Sequence, residues 1–371
     1  GTGLLLRTLA NLYRVDPGYD LTNVLSLEAP KFGEFSVEMQ RQFARDVVAK
    51  VGSIPGVAAV AVVGRPPLGG AEAFPMRFRA ERTAGDALLT TIPTVFQTVT
   101  PQYFDTLGME LRRGRLLTNA DREGTEGVAV LGATMARHYF GQEDPIGQRI
   151  AHTVGTQFSD WYTVVGIVAD ARLTDVTVTN VHAVYLSLYQ EFPGSTILVR
   201  TEVDAAAIIP LIVRTVRELD PERPVENVRT LIQLRADAIL PQRLNATLFG
   251  AFATLALAIS LVGIAGVLAF SVSQRQREMG IRVALGADRR MVVDLILREG
   301  ALLTIAGVLA GLFGAIFVAQ SLTGLLYGVE SSDAATFVAV AFVLIAAGLA
   351  GSWLPARRAA SVSPMEALRS E

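Results

Sequence analysis

Three long apolar runs occupy the last third of the chain, at about residues 244–273, 300–326 and 334–356. Each run exceeds the roughly 20 apolar residues that span a bilayer as a helix. The segment between the first two runs, residues 274–299, carries six arginines and no lysine. Short loops rich in basic residues stay on the cytoplasmic side of a membrane. The pattern therefore predicts a multi-pass membrane bundle with loop 274–299 in the cytoplasm and everything before Leu244 outside.

The first apolar run is longer than one membrane crossing requires. Its roughly 30 residues would form about 45 Å of helix, against a hydrocarbon core of about 30 Å. Asn245 and Thr247 follow Pro241 at its outer end, so the excess is polar there. We expect the helix to extend outward as a stalk, and a tilted helix is the alternative.

The region before the apolar runs shows alternating and helical patterns. Strand patterns at residues 23–29 and 57–63 flank a helical pattern at 36–51. A second strand, helix and strand follow at 196–200, 205–219 and 225–230, after an insert at about 70–190 that mixes short strands and helices. The predicted fold class is an α+β extracytoplasmic domain, with a split β-α-β core and a smaller α/β insert, plus the α-helical membrane bundle.

The predicted domains are residues 1–20, 21–240 and 241–371. The first twenty residues lack the basic flank and long apolar core of a signal peptide. They are interpreted as the end of a truncated first transmembrane or stalk helix. An ordinary surface helix that buries Leu5, Leu9 and Leu12 is the alternative.

Composition excludes several functions. The 371 residues are 51% hydrophobic with a mean hydropathy of +0.39, which fits a chain that is part globular and part membrane-embedded. A formal net charge of −2 gives no electrostatic basis for binding nucleic acid. Cysteine is absent, which rules out thiol catalysis and thiolate metal sites.

The sequence contains no motif typical of catalysis or cofactor binding. Neither of the two lysines follows the glycines of a phosphate-binding loop, and the sequence contains no GxSxG or HExxH motif. The three histidines, His138, His152 and His182, have no metal-ligand spacing. Arg115 is interpreted as a solvated surface arginine, with a nearby carboxylate as the alternative partner. No cofactor and no metal are expected, and the chain is not expected to be an enzyme.

The cytoplasmic loop has amphipathic helical patterns. Asp288 is placed to cap a short helix on which Met291 and Leu295 share a face. The loop sequence EMGIRVALGADRRMV resembles the cytoplasmic loop of FtsX/MacB-type ABC permeases. Outside the loop, VTPQYFDTLGMELRRGR, VAVLGATMARHYFG, DPIGQRI and YTVVGIVADAR follow the order of the periplasmic core of MacB-like permeases. The end of the chain, PARRAA then PMEALR, also resembles this family.

The resemblance implies a permease subunit that couples ATP hydrolysis by a separate ABC ATPase to a change in the outer domain, with export or efflux as the outcome. It further implies that loop 274–299 docks on the ATPase through Glu278, Gly280, Arg282, Ala284, Leu285 and Gly286. Met291 and Leu295 would face the membrane or the partner. An FtsX-like regulatory scaffold acting on a cell-envelope partner, or a membrane-anchored sensor without ATPase, are the alternatives.

Further expectations concern partners and helix packing. The expected partners are the ATPase, a second permease unit, the lipid bilayer of the inner (plasma) membrane and a possible periplasmic protein, with no nucleic acid. Small residues at helical spacing predict close helix contacts, either within the chain or with a second permease unit. They are Gly307, Gly311, Ala315, Ala347 and Gly351. Ser363 and Glu366 form a predicted capping box that opens a short helix in the tail.

Overall fold

The computed structural model describes residues 2–30, 36–69, 73–81, 88–154, 157–174, 182–192, 194–274, 298, 301–314 and 338–350. The chain separates into two units. Residues Val15–Leu240 form one, here called the α/β unit, and Gly1–Arg14 with Pro241–Glu371 form the other, here called the helical unit. Each is described by itself.

Among the described residues, seven helices lie between Thr2 and Gln274 and are numbered in chain order. They are α1 (Thr2–Arg14), α2 (Val37–Gly52), α3 (Tyr103–Leu107), α4 (Ala133–Phe140), α5 (Ala205–Leu219), α6 (Leu231–Ala238) and α7 (Leu240–Gln274). Two shorter apolar helices, Ala301–Gly314 and Val338–Ala350, follow in the helical unit.

Twelve strands belong to the α/β unit. They are β1 (Val24–Glu28), β2 (Val57–Val63), β3 (Ala73–Glu81), β4 (Leu88–Val99), β5 (Leu111–Gly114), β6 (Val128–Gly132), β7 (Arg149–Val154), β8 (Gln157–Phe158), β9 (Tyr162–Val168), β10 (His182–Ser187), β11 (Thr196–Thr201) and β12 (Glu226–Thr230).

The part of the α/β unit outside the insert is an interlocked pair of split β-α-β units. Strands lie in the order β2-β11-β1-β12, and each neighbour is antiparallel to the next. Strand β11 therefore separates β1 from β2, and β1 separates β11 from β12, which is the ferredoxin-like arrangement. These four strands with α2 and α5 are here called the ferredoxin-like half. Helix α2 begins after Ser36, whose side chain accepts a hydrogen bond from the Met39 amide, and it buries Phe43, Val47 and Val51 at helical spacing. Helices α2 and α5 pack with this sheet in one apolar cluster.

The insert closes into a ring of six strands. Strand β4 pairs with β3 and β10, β10 with β6, β6 with β9, β9 with β7, and β7 with β3. Closure leaves no free edge within the ring. A single residue pair, Val63 with Val99, joins the ring to β2. The insert is more strand-rich than the predicted α/β insert, because β5, β7 and β8 were not predicted and its helices α3 and α4 are short.

In the helical unit, α7 is 35 residues long and starts before the predicted first span. Its stretch Leu240–Val267 has a mean hydropathy of 2.3, and it is the one described helix long and apolar enough to cross a membrane. The two shorter helices fall inside the predicted spans 300–326 and 334–356. The rest of those spans lies outside the described residues, so the multi-pass bundle stays a prediction.

Candidate functional site

The segment that leads the chain into the α/β unit, Val15–Asn23, lies tightly against it and is here called the strap. Asp16 Oδ1 accepts a hydrogen bond from the Gly18 amide at 2.9 Å, and Gly18 has a φ of 81°. A Cβ at Gly18 would collide with the carbonyl oxygen of Asp170. The Arg172 amide donates to Pro17 O at 2.8 Å. Only glycine permits both this backbone conformation and this close approach.

Arg200 on β11 holds the strap through several hydrogen bonds. Its Nη1 donates to Asp20 Oδ2 at 2.7 Å, its Nη2 to Asp20 O at 3.2 Å and its Nε to Thr106 O at 2.8 Å. Burial would raise the pKa of Asp20, but hydrogen bonds from Thr22 and Arg200 outweigh it and hold that pKa below its usual value. One guanidinium thus connects the strap, the central sheet and α3.

Tyr19 is the apolar anchor of the strap. It is 6% exposed and packs in the cluster that contains Tyr103 and Tyr185, and its hydroxyl donates to Arg172 O at 3.2 Å. Burial raises the pKa of all three phenols above the ordinary value, so they are neutral at physiological pH. The strap is therefore fixed by apolar packing as well as by charge-assisted bonds.

The segment that leads the chain out of the α/β unit is fixed to the same cluster. Helix α6 opens with a capping box, in which Thr230 and Gln233 exchange side-chain and backbone hydrogen bonds. Leu231 and Leu234 pack in the cluster with Tyr19. Arg235 Nη2 donates to Val15 O at 2.9 Å. The entering and leaving segments are thus bonded to each other and to one core.

A cleft of about 630 Å³ lies beside the strap. Its ionisable lining groups are Asp16, Asp20, Glu110, Asp170, Arg112 and Arg172. Acidic groups therefore exceed basic ones, and the cleft offers hydrogen-bond acceptors. Among the described residues no cluster of three or more histidine, cysteine or acidic side chains is suited to a metal ion.

The histidines are not all scattered in space. The rings of His138 and His182 lie 5.1 Å apart between centroids, a contact that their separation in sequence hides. Burial, followed by the neighbouring His138, lowers the pKa of His182. His152 lies elsewhere, buried beside Phe96 and Tyr162, and burial lowers its pKa to about 4.

Arg115 lies at the surface, with its side chain 47% exposed, and it also has the carboxylate partner that was the alternative. Its Nη1 and Nη2 donate to the two carboxylate oxygens of Asp121 at 2.8 and 2.9 Å. Thr118 N also donates to Asp121, at 2.7 Å. Asp121 is 6% exposed, and the loop folds back over six residues to bring this carboxylate to the guanidinium.

The predicted coupling residues lie outside the described residues, as do Ala287, Ala315, Gly351, Ser363 and Glu366. That group contains Glu278, Gly280, Arg282, Ala284, Leu285, Gly286, Met291 and Leu295. Their roles stay predictions.

Two of the predicted packing glycines have a described environment. Gly307 and Gly311 are exposed, and a Cβ on either would meet no atom of the described residues within 4 Å. The close approach observed in the helical unit is instead at Gly348, one residue beyond Ala347, where a Cβ would collide with the Thr304 side chain. Whether a second permease unit covers Gly307 and Gly311 stays a prediction.

The residues that fix the strap, Arg200 and Arg235, were not identified from the sequence. Arg200 is 180 residues from Asp20, and Arg235 is 220 residues from Val15. The only local signal was the Asp-Pro-Gly turn at the start of the strap, which marks a tight change of direction but names no partner.

The exposed surface of α7 defines the class of protein. Residues 251–256 are all exposed, and six consecutive residues cover every side of a helix; Phe252, Ile259 and Val262 are each more than 60% exposed. A long helix that is apolar on every side is typical of a membrane span. The molecule thus combines a folded α/β unit with a membrane-spanning helix.

Comparisons with known proteins identify the family. Residues 5–219 match the MacB-like periplasmic core domain, and residues 250–364 match the FtsX-like permease C-terminal region. The chain therefore belongs to the MacB/FtsX family of ABC transporter permeases, as the sequence resemblance predicted. It is a membrane protein whose α/β unit is a domain of the periplasmic type.

Individual relatives agree with this assignment. The chain is 31% identical over 275 residues to the macrolide export ATP-binding/permease protein MacB of Chlorobium luteolum, covering 70% of this chain and 40% of that protein. It is 29% identical over 272 residues to the pyoverdine export ATP-binding/permease protein PvdT of Pseudomonas syringae pv. tomato, with the same two coverages. The chain thus spans about 40% of the length of these relatives. The periplasmic region of MacB from Actinobacillus actinomycetemcomitans aligns with 62% of this chain and 97% of its own, with 15% identity and a TM-score of 0.40.

Proposed function

We propose that this chain is the non-catalytic, force-transmitting membrane part of an ABC exporter. ATP hydrolysis by an ABC ATPase moves the cytoplasmic loop 274–299, the movement passes along α7, and the α/β unit changes shape on the outer side of the inner membrane. A second permease unit and the lipid bilayer are its other partners, and a periplasmic protein is a further one.

The observation that carries this proposal is the double anchoring of the α/β unit. The entering strap is held by Arg200, and the leaving helix α6 is held to the strap by Arg235. Tyr19, Leu231 and Leu234 share one buried cluster. Helix α7 directly follows α6 in the chain. A force along α7 is therefore transmitted to the central sheet through the hydrogen bonds of Arg235 and Arg200 and through the shared buried cluster.

The segments of the helical unit have separate roles, as membrane spans or as the docking loop. The spans are 244–273, 300–326 and 334–356, the last two built around the helices Ala301–Gly314 and Val338–Ala350. Loop 274–299 is the docking element for the ATPase, with Glu278, Arg282 and Gly286 at its centre. The domain limits 1–20, 21–240 and 241–371 belong to the same proposal.

The substrate is handled on the outer side. The relatives are named for macrolide export and pyoverdine export, so a macrolide and a pyoverdine-type siderophore are the first compounds to test. The measurement is the change in macrolide and siderophore export when the gene is deleted and then restored.

The first experiment places one cysteine in the cytoplasmic loop. The 371 residues contain no cysteine, so Ala287→Cys introduces the only thiol within them. The expected result is a crosslink to an ABC ATPase whose yield changes when ATP is added. Glu202→Cys, exposed in the α/β unit, is the matched control that should label from outside and form no ATPase crosslink.

The same experiment separates the alternatives. An Ala287→Cys thiol that is reached only from the cytoplasm, yet crosslinks to no ATPase, would reject mechanical coupling and favour a scaffold or sensor. As an independent check, Glu278→Lys combined with Gly286→Trp should abolish ATPase association. Unchanged association in this double variant would remove loop 274–299 from the docking role.

A further inference from the structure

A second cleft lies in the α/β unit, between α2 and the loop that joins β5 to β6. Its volume is about 700 Å³, within the range of small-molecule sites. The cleft contains residues from both the ferredoxin-like half and the insert. It is separate from the strap, and no step of the proposed function uses it.

The lining of the cleft carries a positive charge. Three arginines, Arg41, Arg45 and Arg122, face two glutamates, Glu38 and Glu123. Two of the arginines have carboxylate partners, since Arg41 pairs with Glu123 and Arg45 with Glu38. Arg122 makes no ion pair or side-chain hydrogen bond with the part of the chain that the structure describes. The excess is therefore one guanidinium, which suits a ligand with one negative charge.

Arg41 is a buried donor that is incompletely used. Its residue is 6% exposed, and its Nη2 donates to Gln190 O at 3.0 Å and to Glu191 O at 3.3 Å. Its Nε has no acceptor among the described residues. Its carboxylate partner, Glu123, is 72% exposed. An exposed carboxylate is a weakly held partner, which a better-placed anion can displace.

Gln102 supplies the opposite polarity at the same cleft. It precedes α3, but its side chain does not cap that helix. Its Oε1 is buried with no donor among the described residues. Buried acceptors are almost always paired in folded proteins, so an unpaired one in a cleft wall marks a place where a ligand donor fits. Val48 and the ring of Tyr189 add apolar surface beside it.

We infer that this cleft binds an organic carboxylate that carries an adjacent hydrogen-bond donor, of which the C-terminal end of a short peptide is the simplest example. The carboxylate lies against Arg122 and replaces Glu123 as the partner of Arg41. The Gln102 side chain turns into the cleft so that its Oε1 accepts a hydrogen bond from the donor, and the small apolar body lies against Val48.

The position of the cleft gives binding a structural consequence. Helix α2 belongs to the ferredoxin-like half, whereas Gln102, Arg122 and Glu123 belong to the insert. A ligand that bonds both sides therefore ties the two halves of the α/β unit together. Binding should raise the melting temperature of the α/β unit.

The test measures binding of acetyl-Ala-Ala-Ala, with a free carboxylate, to the full chain in detergent by calorimetry and thermal shift. The C-terminal amide of the same peptide is the matched ligand. We expect the carboxylate to bind at least about tenfold more tightly than the amide, which is the usual size of a hydrogen bond to a charged group. Inorganic phosphate at the same concentration should bind more weakly than the peptide.

Three variants sharpen the test. Arg122→Gln should weaken peptide binding about tenfold, whereas Glu123→Gln should strengthen it because the competing carboxylate is removed. Arg214→Gln, at an exposed arginine on α5, should leave binding unchanged. Each variant is first shown to melt like the parent chain, since Arg122 and Glu123 are exposed.

Several results would overturn the inference. Equal binding of the peptide and its amide, or phosphate binding as tight as that of the peptide, would reject an organic carboxylate. Weakening by Glu123→Gln as large as that by Arg122→Gln would reject displacement of Glu123. Absence of both heat and thermal shift with the peptide would reject the site itself.

Discussion

The α/β unit and helix α7 use the same aliphatic residues in opposite ways. In the α/β unit Val199 and Ile212 are fully buried, whereas on α7 Ile259 is 64% and Val262 is 73% exposed. The strands and helices of the α/β unit alternate apolar with polar positions, so each can turn one face inward. Helix α7 has no polar face along most of its length. Hydrophobic patterning thus identifies the surrounding medium as well as the secondary structure.

The largest expected effect comes from placing the same charge in both regions. Ile212→Asp buries an unpaired carboxylate in the α/β unit and should destabilise it by more than about 4 kcal/mol, which removes its cooperative thermal transition. Ile259→Asp should leave that transition intact but cost about 3 kcal/mol for membrane insertion. The measurements are circular dichroism melts and the membrane-bound fraction. Loss of the α/β transition in Ile259→Asp would contradict the separation of the two regions.

Protonation of His152 should lower the stability of the α/β unit alone. Burial lowers the pKa of His152 to about 4, below its ordinary value of 6.5. The unfolded chain therefore binds this proton first as pH falls, so stability should drop between about pH 6.5 and pH 4, by up to about 3 kcal/mol. Above pH 6.5 the residue contributes no pH dependence.

The variant His152→Phe provides the control for this titration. It should reduce the slope of the stability curve between pH 6.5 and 4 in urea unfolding, because this titrating ring is gone, while His182, whose pKa burial also lowers, keeps its own contribution. Phe78 and Phe96 already surround the site, so a phenyl ring suits its apolar character. An unchanged slope would assign the acid sensitivity to other groups.

The smallest of the three effects concerns the strap. Arg200→Ala removes the donors to Thr106 O and Asp20 and should cost about 2 kcal/mol, with the part due to half-exposed Asp20 reduced by solvent. Hydrogen exchange of residues 15–23 should accelerate more than that of α2. Arg200→Lys should recover only part of the loss, because a lysine ammonium cannot donate the several planar hydrogen bonds that the guanidinium forms. Arg214→Ala is the exposed control, and equal effects at both positions would remove Arg200 from the anchoring role.

The local structure of the α/β unit followed closely from the sequence. The predicted limits of strand 57–63 and of helix 205–219 agree with the structure. Strand 57–63 is a short, continuous apolar run, and the helix buries Ile208, Ile212 and Val216 at helical spacing, so the local pattern identifies both. Strand β5 was missed because all four of its residues are exposed and show no alternation.

The arrangement of the elements did not follow from the sequence. Periodicity indicates that β1 and β2 flank a helix, but not that β11 lies between them. The pairs that define both clefts, Arg200 with Asp20 and Arg41 with Glu123, are distant in sequence and give no local signal. The family resemblance is confirmed, while the coupling role of loop 274–299 and of its residues stays a prediction.

The interlocked sheet also determines when this unit can fold during synthesis. Its central pair joins Val24–Glu28 to Thr196–Thr201, and the insert lies between these strands in the chain. Strands β1 and β2 have no neighbour in the ferredoxin-like sheet until β11 has been made, so their edges stay open throughout synthesis of the insert. Such non-local pairing slows folding, because a long loop must close before the contacts that stabilise it can form. The strands of the six-stranded ring all precede β11 in the chain. The ring can therefore close first, before β11 pairs with β1 and β2.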